Sequence, residues 1–62
     1  MDRNDFQIGD RVMTDLPWGY GEWHWVERRN KLSLTVWTYR GGVATLPYDR
    51  VTAHDPKGIS NA

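Results

Sequence analysis

The stretch LSLTVWTYRGGVATLPYDRV, residues 32–51, decides the fold of this chain. It is rich in β-branched and aromatic residues, which fit the pleated surface of a sheet. Gly41-Gly42 interrupts the run, and glycines adopt a positive φ at little cost, as a two-residue hairpin turn requires. The pattern therefore predicts two antiparallel strands joined at Gly41-Gly42.

Alternation divides the predicted hairpin into two faces. Successive side chains of a strand point to opposite sides, so Trp37 and Tyr39 lie opposite the aliphatic residues of the same strand. A two-residue loop pairs Trp37 with Leu46 and Tyr39 with Ala44. We therefore expect one face to line a core and the other to need a cover. The second face consists of Trp37, Tyr39, Ala44, Leu46 and Tyr48.

The preceding strand, predicted over residues 22–27, carries two further tryptophans. Trp23 and Trp25 share one side, while His24 and Val26 share the other. A loop with an even number of residues before the next strand places both tryptophans beside the aliphatics. An odd loop places them beside the other aromatics, because a one-residue slip moves every side chain to the opposite face. The choice stays open; the even loop gives an interior of Trp23, Trp25, Leu34, Val36 and Val43.

The remaining elements predict a small barrel. Strand one is expected over Arg11–Thr14, followed by a long loop over residues 15–21 that is dense in turn formers. Pro47 has no N–H to donate, so strand four should end or reach a sheet edge there. Residues 48–50 suit a 3-10 turn before a short last strand over residues 51–54. We predict an all-β fold, a five-stranded SH3-like barrel, with an OB-like or other small barrel as the alternative.

One domain is expected from a chain of 62 residues. Residues 6–54 should form the barrel, between a flexible N-terminus at residues 1–5 and a disordered tail at residues 55–62. A domain of this size hides only roughly 60% of the surface that its unfolded chain exposes. Because the sequence has no cysteine for a disulfide, packing and association are the remaining sources of stability.

The charge balance lowers the expectation of a nucleic-acid partner without removing it. Eight basic residues offset eight acidic ones, so the chain lacks the positive field that drives non-specific phosphate binding. Apolar runs approaching the roughly 18 residues of a membrane span are absent from the sequence, as is a basic and apolar leader. We expect a cytoplasmic protein with no membrane partner.

Catalytic and metal-binding motifs are not found in the sequence. His24 and His54 lack the spacing of metal ligands, and the serines and threonines have no base in a recognisable relation to them. The expectation is therefore no catalytic residue, no metal and no cofactor.

A basic cluster, Arg28, Arg29 and Lys31, precedes the third strand. Its simplest role is to keep a hairpin tip soluble. The alternative is contact with phosphate groups, with tryptophan or tyrosine rings alongside as stacking platforms.

Two segments resemble the plasmid-encoded type II dihydrofolate reductases. They are the opening Phe6-x-x-Gly9-Asp10-Arg11-Val12 and the later Val43-x-x-x-Pro47. The resemblance implies an SH3-like barrel and, in that family, a homotetramer around a central pore. The family holds its substrates through a glutamine and a tyrosine where this chain has Ala44 and Leu46, and Thr14 stands approximately where the family carries a lysine. The comparison therefore implies the fold without the reductase activity.

These observations lead to three functional hypotheses. The first is a non-enzymatic binding or assembly module that presents its aromatic sheet face to a protein partner or to its own copy. The second is an oligomeric pore-type barrel that binds a small aromatic ligand. The third is a weak nucleic-acid binder that uses the basic cluster.

Overall fold

The computed structural model describes residues 3–38 and 40–56. Within them the chain forms one five-stranded antiparallel sheet, with the strands in the order β4-β3-β2-β1-β5. The predicted all-β fold is therefore confirmed, and the described strands form an open sheet. The elements are a 3-10 turn at Arg3–Asp5, β1 at Arg11–Thr14, β2 at His24–Arg29, β3 at Ser33–Trp37, β4 at Val43–Pro47, a 3-10 turn at Tyr48–Arg50 and β5 at Val51–Asp55.

Several predicted boundaries agree with the structure. Strand β1 and the 3-10 turn before β5 have the predicted limits. Strand β2, predicted from residue 22, begins at His24. Strand β5 continues past His54 to Asp55, whose carboxylate accepts a hydrogen bond from Nε of Arg11 at 2.9 Å. Tyr39 and residues 57–62, most of the predicted tail, lie outside the described residues.

The register of the β3–β4 hairpin differs from the prediction. Trp37 pairs with Val43, and Leu34 pairs with Leu46, so the predicted pairing of Trp37 with Leu46 is wrong. The physical reason is the turn: the Thr38 N–H donates to the Gly42 carbonyl at 2.8 Å, and the Gly41 N–H donates to the Thr38 carbonyl at 3.0 Å. This is the G1 bulge of a longer loop, with Gly41 at a φ of 91°. The predicted two-residue loop gives a register three residues away, and an odd shift exchanges the faces.

The core lies on one side of the sheet. It is built from aliphatic side chains of β1 to β4 together with two aromatic rings, that of Phe6 before β1 and that of Tyr48 in the 3-10 turn before β5. Its buried members are Phe6, Val12, Val26, Leu34, Val36, Leu46 and Tyr48. Trp25 and Val43, two of the residues that the even loop would place inside, are exposed instead. Trp25 lies beside Trp37, as in the odd-loop alternative, but the loop itself is even, because Arg29 pairs with Leu34. A bulge between Val26 and Arg28 shifts the register and turns Trp25 to the face of Trp37.

The segment before β1 covers the core. Phe6 stacks on Tyr48 with ring centroids 5.7 Å apart. The Gly9 N–H donates to the Val26 carbonyl at 2.8 Å, and the Val26 N–H donates to the Asp10 carbonyl at 2.9 Å. These bonds extend the β1–β2 pairing towards the N-terminus and hold Phe6 over the aliphatic side chains. In the described part of the chain, no helix is long and apolar enough to cross a membrane.

Candidate binding surface

A row of large apolar side chains crosses the outer face of the sheet. Trp25 on β2 pairs with Trp37 on β3, and Trp37 pairs with Val43 on β4. Paired residues of an antiparallel sheet project to the same side, so the three side chains are neighbours. Their exposed fractions are 43%, 45% and 56% respectively. We call Trp25, Trp37 and Val43 the tryptophan row.

Next to Trp25, the tryptophan row is followed on the same face by a charged pair on β1 and β5. Arg11 on β1 pairs with Trp25, and Asp55 on β5 pairs with Arg11. The Arg11 guanidinium forms an ion pair with the Asp55 carboxylate and lies 4.9 Å from the ring centroid of Trp23. A cation over an indole face is attracted by the ring's electron density. The outer face is therefore apolar towards β4 and charged towards β5.

A second row, beside the first, is polar. Thr45 on β4 pairs with Thr35 on β3, and Thr35 pairs with Arg28 on β2. The register of β2 and β3 shifts between Val26 and Arg28, which brings the exposed Arg28 side chain into line with the threonines. The tryptophan row thus has a polar border with one cation at its end.

The residues predicted for the aromatic face separate in the structure. Trp37 lies in the tryptophan row. Leu46 is fully buried, and Tyr48 is 8% exposed with its hydroxyl donating to the Asn30 carbonyl at 2.5 Å, so neither reaches the outer face. Ala44 is half-buried and packs against the core, and Tyr39 lies outside the described residues. The cause is the three-residue difference in register at the turn.

Trp25 and Val43 join the surface, whereas the even-loop alternative places both in an interior. The alternation of β2 was correct, since His24 and Val26 are buried while Trp25 is exposed. The local pattern signals neither position: Trp25 reaches the outer face through the bulge between Val26 and Arg28, and Val43 through the bulge at Gly41.

The three residues of the predicted basic cluster differ in their contacts. Arg28, Arg29 and Lys31 are all exposed, and Nη1 of Arg29 also donates to the Phe6 carbonyl at 3.0 Å. Arg29 thus holds the segment that covers the core. The neighbouring tip is organised by Asn30, whose N–H donates to the Ser33 carbonyl at 2.8 Å and whose side-chain amide donates to Oγ1 of Thr35 at 3.0 Å.

A buried carboxylate joins the N-terminal segment to the last strand. Asp10 is 2% exposed, and its Oδ2 accepts hydrogen bonds from the Gln7 N–H at 2.9 Å and from Nε2 of His54 at 2.8 Å. The His54 ring lies 4.5 Å from the Phe6 ring, centroid to centroid. We call the Asp10–His54 contact the clasp. It satisfies a polar group that would be costly to bury alone, which is a structural role.

The second histidine fastens the first loop. His24 is fully buried, its Nε2 donates to the Gly19 carbonyl at 3.0 Å, and the Trp18 ring lies 5.2 Å from it. A Cβ on Gly19 would lie 2.5 Å from Nε2 of His24, so a larger residue here would force the His24 ring to move. None of the described residues forms a hydrogen bond with the buried Nδ1 of His24. In the residues that the structure describes, no group of three or more His, Cys, Asp or Glu could hold a metal ion.

Comparisons with protein-family models, with curated proteins and with solved structures found no match for this chain.

Proposed function

We propose that the chain is a small SH3-like module that makes a protein–protein contact through the tryptophan row. The observation that carries this proposal is the cross-strand pair of Trp25 and Trp37, which leaves two indoles exposed by 43% and 45% side by side on a sheet face. Single exposed apolar side chains are ordinary, whereas a contiguous group marks a contact site. Tryptophan is also among the residues that contribute most to binding energy at interfaces.

The surroundings of the row support a protein partner. An interface commonly has an apolar centre with a polar rim, and here Thr35, Thr45 and Arg28 border the tryptophan row on one side. Both tryptophans stand on strands inside the sheet, since β2 and β3 each pair with a strand on either side. The backbone beneath them is therefore fixed, and the contact needs little ordering of the chain.

The proposed SH3-like arrangement rests on the strand order. Strands β2, β3 and β4 follow one another as a meander, and β5 returns to pair with β1. A long loop follows β1, and a 3-10 turn precedes β5. These features support a barrel of SH3-like type, with the buried side of the sheet as its interior.

A matched pair of variants tests the proposed contact. Trp37→Arg places a cation in the tryptophan row, whereas Leu32→Arg places one at the tip before β3, where Leu32 is 80% exposed. We expect both variants to fold with the circular dichroism of the parent. Sedimentation velocity and retention of partners from an extract of the source cell should show a loss for Trp37→Arg alone.

Two outcomes would contradict this function. Equal association of Trp37→Arg and Leu32→Arg would remove the tryptophan row as the contact. Global unfolding of Trp37→Arg would instead show that this indole belongs to the core.

A second candidate is binding of single-stranded nucleic acid on the same face. The observation in its favour is that exposed Arg28 lies in the row next to Trp25 and Trp37, where a phosphate could meet the cation while bases stack on the indoles. Titration with a random oligonucleotide at low and high salt tests it. A steep salt dependence that Arg28→Gln reduces would favour this candidate, and no binding at low salt would exclude it.

A further inference from the structure

The tryptophan row runs to a sheet edge formed by β4. In the described residues β4 pairs with β3 alone, whereas β1, β2 and β3 each have a strand on both sides. Val43, Thr45 and Pro47 are all exposed on this strand. The apolar end of the outer face therefore meets a strand whose second hydrogen-bonding side faces away from the sheet.

The register tells which backbone groups face outward. Thr38 and Gly42 form a hydrogen-bonded pair, with the Thr38 N–H donating to the Gly42 carbonyl at 2.8 Å. Hydrogen-bonded and non-hydrogen-bonded pairs alternate along an antiparallel ladder. Ala44 and Leu46 therefore bond to β3, and the backbone groups of Val43, Thr45 and Pro47 point away from it.

Pro47 agrees with this assignment. Its nitrogen carries no hydrogen, and in this register it points outward, where no bond to β3 is lost. The outward donors of β4 are then the N–H groups of Val43 and Thr45, and the outward acceptors are the carbonyls of Val43, Thr45 and Pro47.

The two edges of the sheet differ in charge. Strand β4, with the sequence VATLP, has no charged residue, while β5 carries His54 and ends at Asp55 beside Arg11. Charged side chains at an edge prevent one copy of a strand from pairing with another, since like charges would lie opposite each other. Strand β4 lacks this protection, so the charge pattern permits a second copy at β4.

We propose that two copies of the chain join through antiparallel pairing of their β4 strands about a two-fold axis at Thr45. The Thr45 N–H of each copy donates to the carbonyl of the partner's Thr45, and the Val43 N–H donates to the carbonyl of the partner's Pro47. Every outward N–H of β4 is then used. The missing N–H of Pro47 leaves the outward carbonyl of the partner's Val43 without a bond from this strand.

The pairing also lengthens the tryptophan row at its β4 end. The side chain of Val43 lies beside that of the partner's Pro47 on the outer face, so the apolar row extends from Trp25, Trp37 and Val43 to the partner's Pro47. A two-fold interface uses the same patch on both copies, as this one does. The inference rests on the proposed function, because Val43 belongs both to the tryptophan row and to the paired edge.

A charge-exchange experiment at Thr45 tests the two-fold axis. Thr45→Lys and Thr45→Glu each place like charges opposite each other across the axis, while both keep the backbone N–H. Thr45 is exposed, so both variants should fold. Sedimentation velocity should show each variant alone associating at least about tenfold more weakly than the parent, and an equal mixture of the two should recover association.

Thr45→Pro and Thr45→Val examine the backbone bonds. The first removes an outward N–H without removing a bond to β3, and the second keeps it. We expect dimerisation to weaken at least about tenfold in Thr45→Pro and to persist in Thr45→Val. If Thr45→Pro does not fold by circular dichroism, the mixture of Thr45→Lys with Thr45→Glu decides alone.

The results separate this inference from the proposed function. A parent chain that stays monomeric at the highest concentration reached, or a charged mixture that fails to recover, overturns the two-fold pairing. The proposed function survives that result if Trp37→Arg still loses a partner that Leu32→Arg retains. If neither variant differs from the parent, the proposed function fails as well.

Discussion

The inner and outer faces of strands β2, β3 and β4 differ in the size of their apolar side chains. The inner face carries aliphatic residues that are at most 2% exposed, namely Val26, Leu34, Val36 and Leu46. The outer face carries Trp25, Trp37 and Val43, each more than 40% exposed. The largest apolar side chains of these strands therefore lie outside the core.

The difference reflects the room available on each side. The inner face is closed by the segment before β1, whose Phe6 fills the space above the aliphatic side chains together with Tyr48. Interiors are packed densely, and additional large rings would force the covering segment away. Indoles on the outer face meet no such limit. The space under Phe6 and Tyr48 therefore limits the size of the side chains that form the core. The larger indoles remain on the outer face, where they are available for contacts.

Truncating one residue of β4 on each face should give the largest difference in stability between the two faces. Leu46→Ala should lower the free energy of unfolding by about 2–5 kcal/mol, because it leaves a cavity in the core. Val43→Ala should lower it by less than about 1 kcal/mol, since Val43 is 56% exposed. Urea denaturation of both variants measures the difference. A larger loss for Val43→Ala than for Leu46→Ala would contradict this register and support the predicted two-residue turn.

Removal of the buried Asp10 carboxylate should give the next largest loss in the free energy of unfolding. Asp10→Ala leaves the Gln7 N–H and Nε2 of His54 without their acceptor, so we expect a loss of about 2–3 kcal/mol. Asp15→Ala is the matched control, because the Asp15–Arg50 ion pair has side chains 50% and 46% exposed and should contribute less than about 1 kcal/mol. Thermal unfolding distinguishes the two, and equal losses would assign the clasp no special contribution.

A substitution at Gly19 tests how tightly the first loop packs against the buried His24. Gly19→Ala brings a Cβ to 2.5 Å from Nε2 of His24, which must move, so we expect a loss of about 1–3 kcal/mol and altered NMR signals of His24. At Gly42 the nearest atom to an added Cβ is Oγ1 of Thr38 at 4.0 Å. Gly42→Ala should therefore leave both measurements close to the parent. An unchanged His24 signal in Gly19→Ala would contradict the fastening of the loop.

The smallest change in stability is expected on the outer face. Trp25→Ser should alter the free energy of unfolding by less than about 1 kcal/mol while weakening association, because Trp25 is 43% exposed. Denaturation followed by circular dichroism gives the first quantity, and sedimentation gives the second. A loss comparable to that of Leu46→Ala would mean that the two faces share one core.

Much of the fold could be predicted from local pattern. The β1 limits, the alternation of His24 with Trp25 and the 3-10 turn at Tyr48–Arg50 depend on neighbouring residues only, and the structure has all of them. The pairing of the faces could not be predicted in the same way. Both sides of β3 are apolar enough for a core, so the sequence pattern alone does not choose between them.

The choice depends on how the glycines of the turn are used. Two consecutive glycines suggested a two-residue turn, but Gly41 alone takes a positive φ and Gly42 occupies the second position of a bulge. That single difference moved Leu46 inside and Val43 outside. Trp37 was assigned to the outer face because its position relative to Leu34 and Val36 is fixed within one strand. Trp25 required the register between strands, which a local pattern does not contain.

The clasp has a consequence for the rate of folding, because it joins residues that are far apart in the sequence. Asp10 and His54 are 44 positions apart, and Phe6 meets both Tyr48 and His54. The bonds of Gly9 with Val26 and of Arg29 with Phe6 close much shorter stretches of chain than the clasp does. Contacts between distant residues also slow folding, because a long loop must close before they form. The clasp should therefore close late in folding, after the shorter-range pairing of β2, β3 and β4.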